Sequence, residues 1–207
     1  QKQKVPGTFK RYLVPFGVLL LCLWAVPSAF ANVLGNPGFE ESIGDSALSW
    51  DNTNGTVQTT AVPAGFTAFP EGRAAIVQDA TSDFTFQIQK NIQPGDLVVF
   101  SALAISSVAA GGGSGGQLRI EFKQYDLTTG VDFLIRDATS DLITSTNAPS
   151  TGAYVRFTVS APAPPGTGLV VFTIRRQGAN AGTVVYDDAN GEINPVALNI
   201  TASKTSV

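Results

Sequence analysis

Glu40, Glu41, Glu121, Asp187 and Asp188 are the side chains with which this chain could move a proton or hold a cation. Acid–base hydrolysis of a glycosidic bond needs two carboxyl groups about 5–10 Å apart across a cleft, one of them protonated. Sequence spacing leaves such a pair open. Asp187 and Asp188 are adjacent, however, and adjacent strand residues point to opposite faces, so the two do not readily serve one site. The 207 residues include no histidine. That removes the commonest general base, nucleophile activator and zinc ligand together. No nucleophile elbow, phosphate loop or zinc-ligand spacing is present either. Catalysis is not expected.

A second set of side chains could bind rather than react. Gln117 to Tyr125 alternates polar and apolar residues, the period of a half-buried strand. Leu118, Ile120 and Phe122 would face a core. Arg119, Glu121, Lys123 and Tyr125 would share the opposite face as the floor of a groove. The same pattern also suits a plain solvated sheet face, with Glu121 and Lys123 as a surface charge pair.

The elements that must position these residues read as strands throughout. Tyr154 to Val159 alternates in the same way, with Val155, Phe157 and Val159 inward. Leu97 to Ile105 and Leu169 to Ile174 are more continuously apolar, as central strands are. Phe84 to Ile92 and Thr183 to Asp187 are two further candidates. Gln93-Pro94-Gly95-Asp96 is a strong turn, and Thr128 to Gly130, Pro162 to Gly168 and Gln177 to Gly182 mark others. The glycine run Gly111 to Gly116 reads as a flexible loop between two strands of one sheet. Many short strands with regular turns indicate an all-β antiparallel sandwich of the jelly-roll kind.

Residues 1–31 differ from the rest. Lys2, Lys4, Lys10 and Arg11 precede an apolar stretch from Leu13 to Val26, and Ala29-Phe30-Ala31 supplies small residues at a cleavage site. This is the order of a secretory signal. The uncharged run from Tyr12 to Val33 would also span a bilayer, but Pro15 and Pro27 interrupt it. Cleavage after Ala31 removes four of the thirteen basic residues and no acid, leaving nine against sixteen, a net charge of −7. Such a chain offers no electrostatic footprint for nucleic acid and no membrane association once the signal is gone. Its one cysteine, Cys22, leaves with the signal, so the exported chain must rely on its core instead of a disulfide. After Ile193, Asn194-Pro195 breaks the pattern. Residues 194–207 read as a linker or the first strand of a following domain, or alternatively as a short edge strand of the same sandwich.

Several short motifs fall in a recognisable order. Asn32-Val33-Leu34-Gly35-Asn36-Pro37-Gly38-Phe39-Glu40, then Trp50, is followed by Glu71-Gly72-Arg73-Ala74-Ala75, Ile92-Gln93-Pro94-Gly95, Phe100-Ser101-Ala102 and Val185-Tyr186-Asp187-Asp188. Over residues 32–193 the ordered set resembles the carbohydrate-binding modules grouped as families 4, 9, 16 and 22, which share a galactose-binding-domain-like β-sandwich. The resemblance implies a structural calcium joining the two ends of the domain. Glu40 and Asp187 would supply carboxylates, with backbone carbonyls near Gly38 and Arg73. Calcium takes about six to eight oxygen ligands, which such a set provides without His or Cys.

Modules of this kind place Trp or Tyr where a sugar ring can stack while polar groups bond its hydroxyls. Here Leu103 follows the Ser-Ala pair where many relatives carry an aromatic, and Trp50 reads as a core or rim residue. The candidate sugar contacts are therefore Arg119, Glu121, Lys123, Tyr125, Leu103 and Phe69. Phe66 and Phe69 would either edge a site or plug the end of the sandwich. The expected function is a secreted, non-catalytic module that attaches a larger extracellular protein to polysaccharide or cell-surface glycan. The alternative is a structural or adhesive cell-surface sandwich without a sugar site, in which an exposed edge strand gives a route to self-association.

Overall fold

The computed structural model describes residues 31–43, 46–53, 57–70, 75–79, 84–126 and 129–195. The expected signal up to residue 30, Arg73 and the segment 196–207 lie outside the described residues. The described residues form twelve strands and no helix. These are β1 (Ser42–Ile43), β2 (Ser46–Ala47), β3 (Asp51–Thr53), β4 (Val57–Thr59), β5 (Ala75–Gln78), β6 (Phe84–Lys90), β7 (Leu97–Ser106), β8 (Gly115–Asp126), β9 (Val131–Thr139), β10 (Val155–Pro162), β11 (Leu169–Gln177) and β12 (Val184–Asn194). The first sheet runs β10-β7-β12-β5-β4 and the second β3-β6-β11-β8-β9, with β1 and β2 as a small separate ladder. Every strand pairing in the two sheets is antiparallel. From β6 onward the chain passes repeatedly between the sheets, as a jelly roll does.

The core lies where the period-two pattern puts it. Val98, Phe100, Ala102 and Ala104 of β7 meet Leu118, Ile120 and Phe122 of β8 and Val170, Phe172 and Ile174 of β11, all fully buried. Phe100 and Phe172 bridge the sheets with ring centroids 5.2 Å apart and planes tilted by 58°. Burying each such side chain stabilises the fold by about 1.5–3 kcal/mol.

Tyr186 of β12 carries a polar group into this core and satisfies it. Its hydroxyl accepts from the Gln117 N–H at 3.1 Å and donates to the Arg175 carbonyl at 3.0 Å. The glycine run is shaped by this contact. Gly115 and Gly116 begin β8 and do not belong to a free loop, and a methyl group at Gly116 would overlap the Tyr186 hydroxyl.

Two elements depart from the pattern. In β6 the polar residues face inward: Thr85 is fully buried and Gln87 nearly so, while Phe84, Phe86 and Ile88 face out. The inward amides hold the N-terminal segment. Gln87 bonds the Gly35 carbonyl at 2.6 Å and accepts from the Gly35 N–H at 3.0 Å, and Gln89 reaches the Val33 carbonyl at 2.8 Å. The second departure is β9, which the sequence shows poorly because Phe133-Leu134-Ile135 does not alternate. The pairing passes from Arg136↔Phe122 to Leu134↔Lys123, leaving Ile135 as an extra residue in a bulge.

The two ends of the domain meet. Segment 32–37 runs beside the end of β12, with Val33 N–H donating to the Gly191 carbonyl and Ala189 N–H to the Pro37 carbonyl, each at 2.8 Å. Asn32 adds bonds to Ala189 and Gly191. Trp50 packs in this corner against Phe39, centroids 5.1 Å apart, and its indole N–H donates to the Gly35 and Asn36 carbonyls. It is a core residue and presents no stacking platform.

Candidate ligand groove

The outward face of the second sheet is a grid fixed by strand register. On β6 stand Phe84, Phe86 and Ile88; opposite them on β11 stand Arg175, Thr173 and Val171. Opposite these on β8 stand Gln117, Arg119 and Glu121, with Lys123 one row further on, opposite Leu169. One wall is therefore apolar, the other ionic, and the short side chains of β11 form the floor between. They line a groove of about 470 Å³, within the usual range for small-molecule sites. Val171 and Thr173 are sheltered by their longer neighbours on β6 and β8.

The ionic wall is internally matched. Glu121 takes Arg119 on Oε1 at 2.6 Å and Lys123 on Oε2 at 3.2 Å, while the Arg119 Nε donates to Asp137 of β9 at 2.9 Å. Arg175 donates from Nε and Nη2 to the neutral Gln117 Oε1 and lies within the electrostatic reach of Arg119, Asp137 and Glu121. Burial, and then the nearby positive charge of Arg119, lower the Arg175 pKa from its ordinary value. On the apolar wall the Phe84 and Phe86 rings lie 6.0 Å apart, both partly exposed.

The sequence-derived residues separate in the fold. Arg119, Glu121 and Lys123 stand together in the groove. Tyr125, 49% exposed, lies beyond them in a second depression of about 320 Å³ with Lys90, Asn91, Asp132 and Leu169; Ile88 lines both and joins them. Leu103 and Phe69 do not join this face, which corrects the expectation that grouped them with it. Leu103 pairs with Arg156 and Asp187 on the first sheet and alternates with core-facing Ala102 and Ala104, so it points away from the sandwich on the other side. Phe69 is buried against Ala75, Ile105 and Val185 with Phe66 beside it, plugging that outer surface. Phe84, Phe86, Ile88 and Arg175 were missed, because an alternating strand does not reveal which of its faces is buried.

The acids expected to hold calcium lie near where segment 32–37 meets the end of β12. Asp187 is fully buried, its Oδ1 accepting from the Asp188 N–H, just before the β12 bulge that bonds the Pro37 carbonyl. Glu40, three residues after Pro37, has a buried Oε1 without a hydrogen-bond partner among the described residues. Half-buried Tyr154 senses Asp187: burial first, then that charge, raise its pKa. Asp188 turns away to pair with Arg156, so the two adjacent acids do serve different places. No cluster of three or more His, Cys, Asp or Glu side chains occurs among the described residues, so carbonyls would have to complete a calcium shell. The donors present are all oxygen and fit a hard cation.

No family model matches this chain, and no curated protein does. Solved structures do. The Stig cyclase Fisc from Fischerella sp. TAU matches with a TM-score of 0.52 and 16% identity over 82% of this chain and 100% of its own. The fold is shared. A family 61 carbohydrate-binding module solved with beta-1,4-galactotriose aligns at 0.47 and 16% identity over 79% of this chain and 99% of the module. A bacteriophage CBA120 tailspike domain aligns at 0.47 and 13% identity over 78% of this chain, which spans only 21% of the tailspike chain. Modules of families 4 and 22 also match, at TM-scores of 0.43 to 0.46. At these identities the likeness is to the two-sheet antiparallel sandwich and extends no further.

Proposed function

We propose that this chain is a secreted, non-catalytic carbohydrate-binding module that attaches a larger extracellular protein to polysaccharide, with the outward face of the second sheet as its site. The observation that carries the reading is the pairing of an apolar wall, Phe84, Phe86 and Ile88, with a polar wall, Arg119, Glu121 and Lys123, across one open groove. A pyranose has the matching character, a C–H face for the aromatic side and hydroxyls for the ionic one. Tyr125 extends the track toward the second depression. Binding without catalysis is supported by Glu121, whose two oxygens are already engaged by Arg119 and Lys123, and by Asp137, engaged by Arg119. Calcium held by Glu40, Asp187 and backbone carbonyls near Gly38 and Arg73 would be structural.

Affinity electrophoresis against soluble glucans, xylans and mannans tests the reading. Retardation by at least one glycan, weakened about tenfold by Phe86→Ala, is expected. Uniform lack of retardation would sink it. One observation favours the second reading, an adhesive sandwich. Strand β9 closes its sheet as a long edge with Val131, Phe133 and Leu134 about half exposed, and such edges pair with other chains unless blunted. Sedimentation showing a dimer that Phe133→Lys dissolves would support that role.

A further inference from the structure

Resting on the groove as a glycan site, the geometry points to a ligand class: we infer that it takes an acidic glycan, with Arg175 gripping the carboxylate of a uronic acid residue. The cations of the β8 wall are matched to acids, Arg119 to Glu121 and Asp137, and Lys123 to Glu121, while Arg176, which also lines the groove, donates to the Gln177 and Asn180 carbonyls. Among the described residues Arg175 has no carboxylate partner; its side chain donates only to the uncharged Gln117 Oε1. A guanidinium is always charged in proteins and presents a planar fork suited to a carboxylate. Partial burial and the neighbouring Arg119 guanidinium disfavour its charge, Asp137 and Glu121 offset only part of that, and a bound anion would supply the rest.

The position suits that arrival. Arg175 lines the groove directly opposite Phe84 on β6 and opposite Gln117 on β8. Its support is rigid: Gln117 is nearly buried, and its amide donates to the Ser140 carbonyl at 3.0 Å, so Oε1 is aimed at the guanidinium. A sugar ring seated along Phe84 and Phe86 carries its exocyclic carboxylate to the neighbouring strand, where Arg175 stands. The exported chain is otherwise acidic, so attraction of such a ligand is local to this groove and screened by salt.

The test uses matched glycan pairs with the whole chain: polygalacturonate against its methyl ester, and glucuronoxylan against its carboxyl-reduced form. The expected result is about tenfold tighter binding of each acidic member. That preference should fall at high salt and disappear in Arg175→Gln, with Arg175→Lys intermediate, since lysine keeps the charge and loses the fork. Phe86→Ala should weaken both members alike. Equal binding of the two members by the wild-type chain overturns the inference, as does a preference that survives in Arg175→Gln. Retention by neutral glucans, xylans or mannans alone also overturns it while leaving the module reading in place. Absence of binding to every glycan removes both.

Discussion

Tyr186 shows how one side chain couples the core to the groove. Its hydroxyl bonds the backbone of Gln117 and Arg175, the groove's arginine and the neutral amide that holds its side chain. Replacing it with phenylalanine leaves the buried Gln117 N–H without its acceptor, at a cost of about 1–3 kcal/mol, measurable as a lower urea midpoint. Burial raises the pKa of Tyr186, and burial with the charge of Asp187 raises that of Tyr154. The unfolded chain ionises its tyrosines near pH 10, before the folded one does. The stabilisation is therefore complete below about pH 10 and is lost as the pH climbs above it. Thermal melts should show that decline, with a shallower slope in Tyr186→Phe. The two kinds of phenylalanine should separate as well. Phe100→Ala opens the inter-sheet core and should cost about 3–5 kcal/mol, whereas Phe86→Ala should spare stability and cost binding. None of these role differences is legible from residue type: Phe86 sits in an alternating strand whose buried face the pattern does not reveal, and Phe100 in a continuously apolar one.

At the scale of elements, β6 is the decisive case. Its alternation predicts a strand, and a strand is what forms, but the customary assignment of apolar residues to the core is reversed. The inward positions are taken by Thr85 and Gln87, which bond the backbone of Asp51 and Gly35 where the N-terminal segment lies across the sandwich. Gln87→Ala should lower stability by about 1–3 kcal/mol and speed hydrogen exchange at the Gly35 amide; exchange that stays unchanged would show that Gln87 does not hold this segment. The strand β8 is the opposite case: Leu118, Ile120 and Phe122 face the core and Arg119, Glu121 and Lys123 the groove, as the period implies. Strand β9 escaped the sequence because its bulge breaks the alternation. The glycine run is a loop only in part: Gly111 to Gly113 turn between β7 and β8, which belong to different sheets and not to one as expected, while Gly116 is needed for clearance beneath Tyr186.

The described sandwich is closed by contact between segment 32–37 and the end of β12. Pairing of Val33 and Pro37 with Gly191 and Ala189 brings the segment carrying Glu40 beside the strand carrying Asp187. If calcium links them, a chelator should lower the melting temperature, by the equivalent of about 2.7 kcal/mol for a cation present at a hundred times its dissociation constant. Unchanged melting would remove the metal. The all-β class, the turns at Pro94-Gly95, the buried stripe of β8 and the ionic stripe opposite it were determined by the sequence itself, because period and turn chemistry are local properties of the backbone. Which sheet each strand joins was decided only by tertiary structure, and with it the separation of Leu103 and Phe69 from Arg119 and the gathering of Phe84, Phe86 and Arg175 around the groove. Those pairings join residues about ninety positions apart, through register across neighbouring strands, and register is set by how the whole sandwich packs.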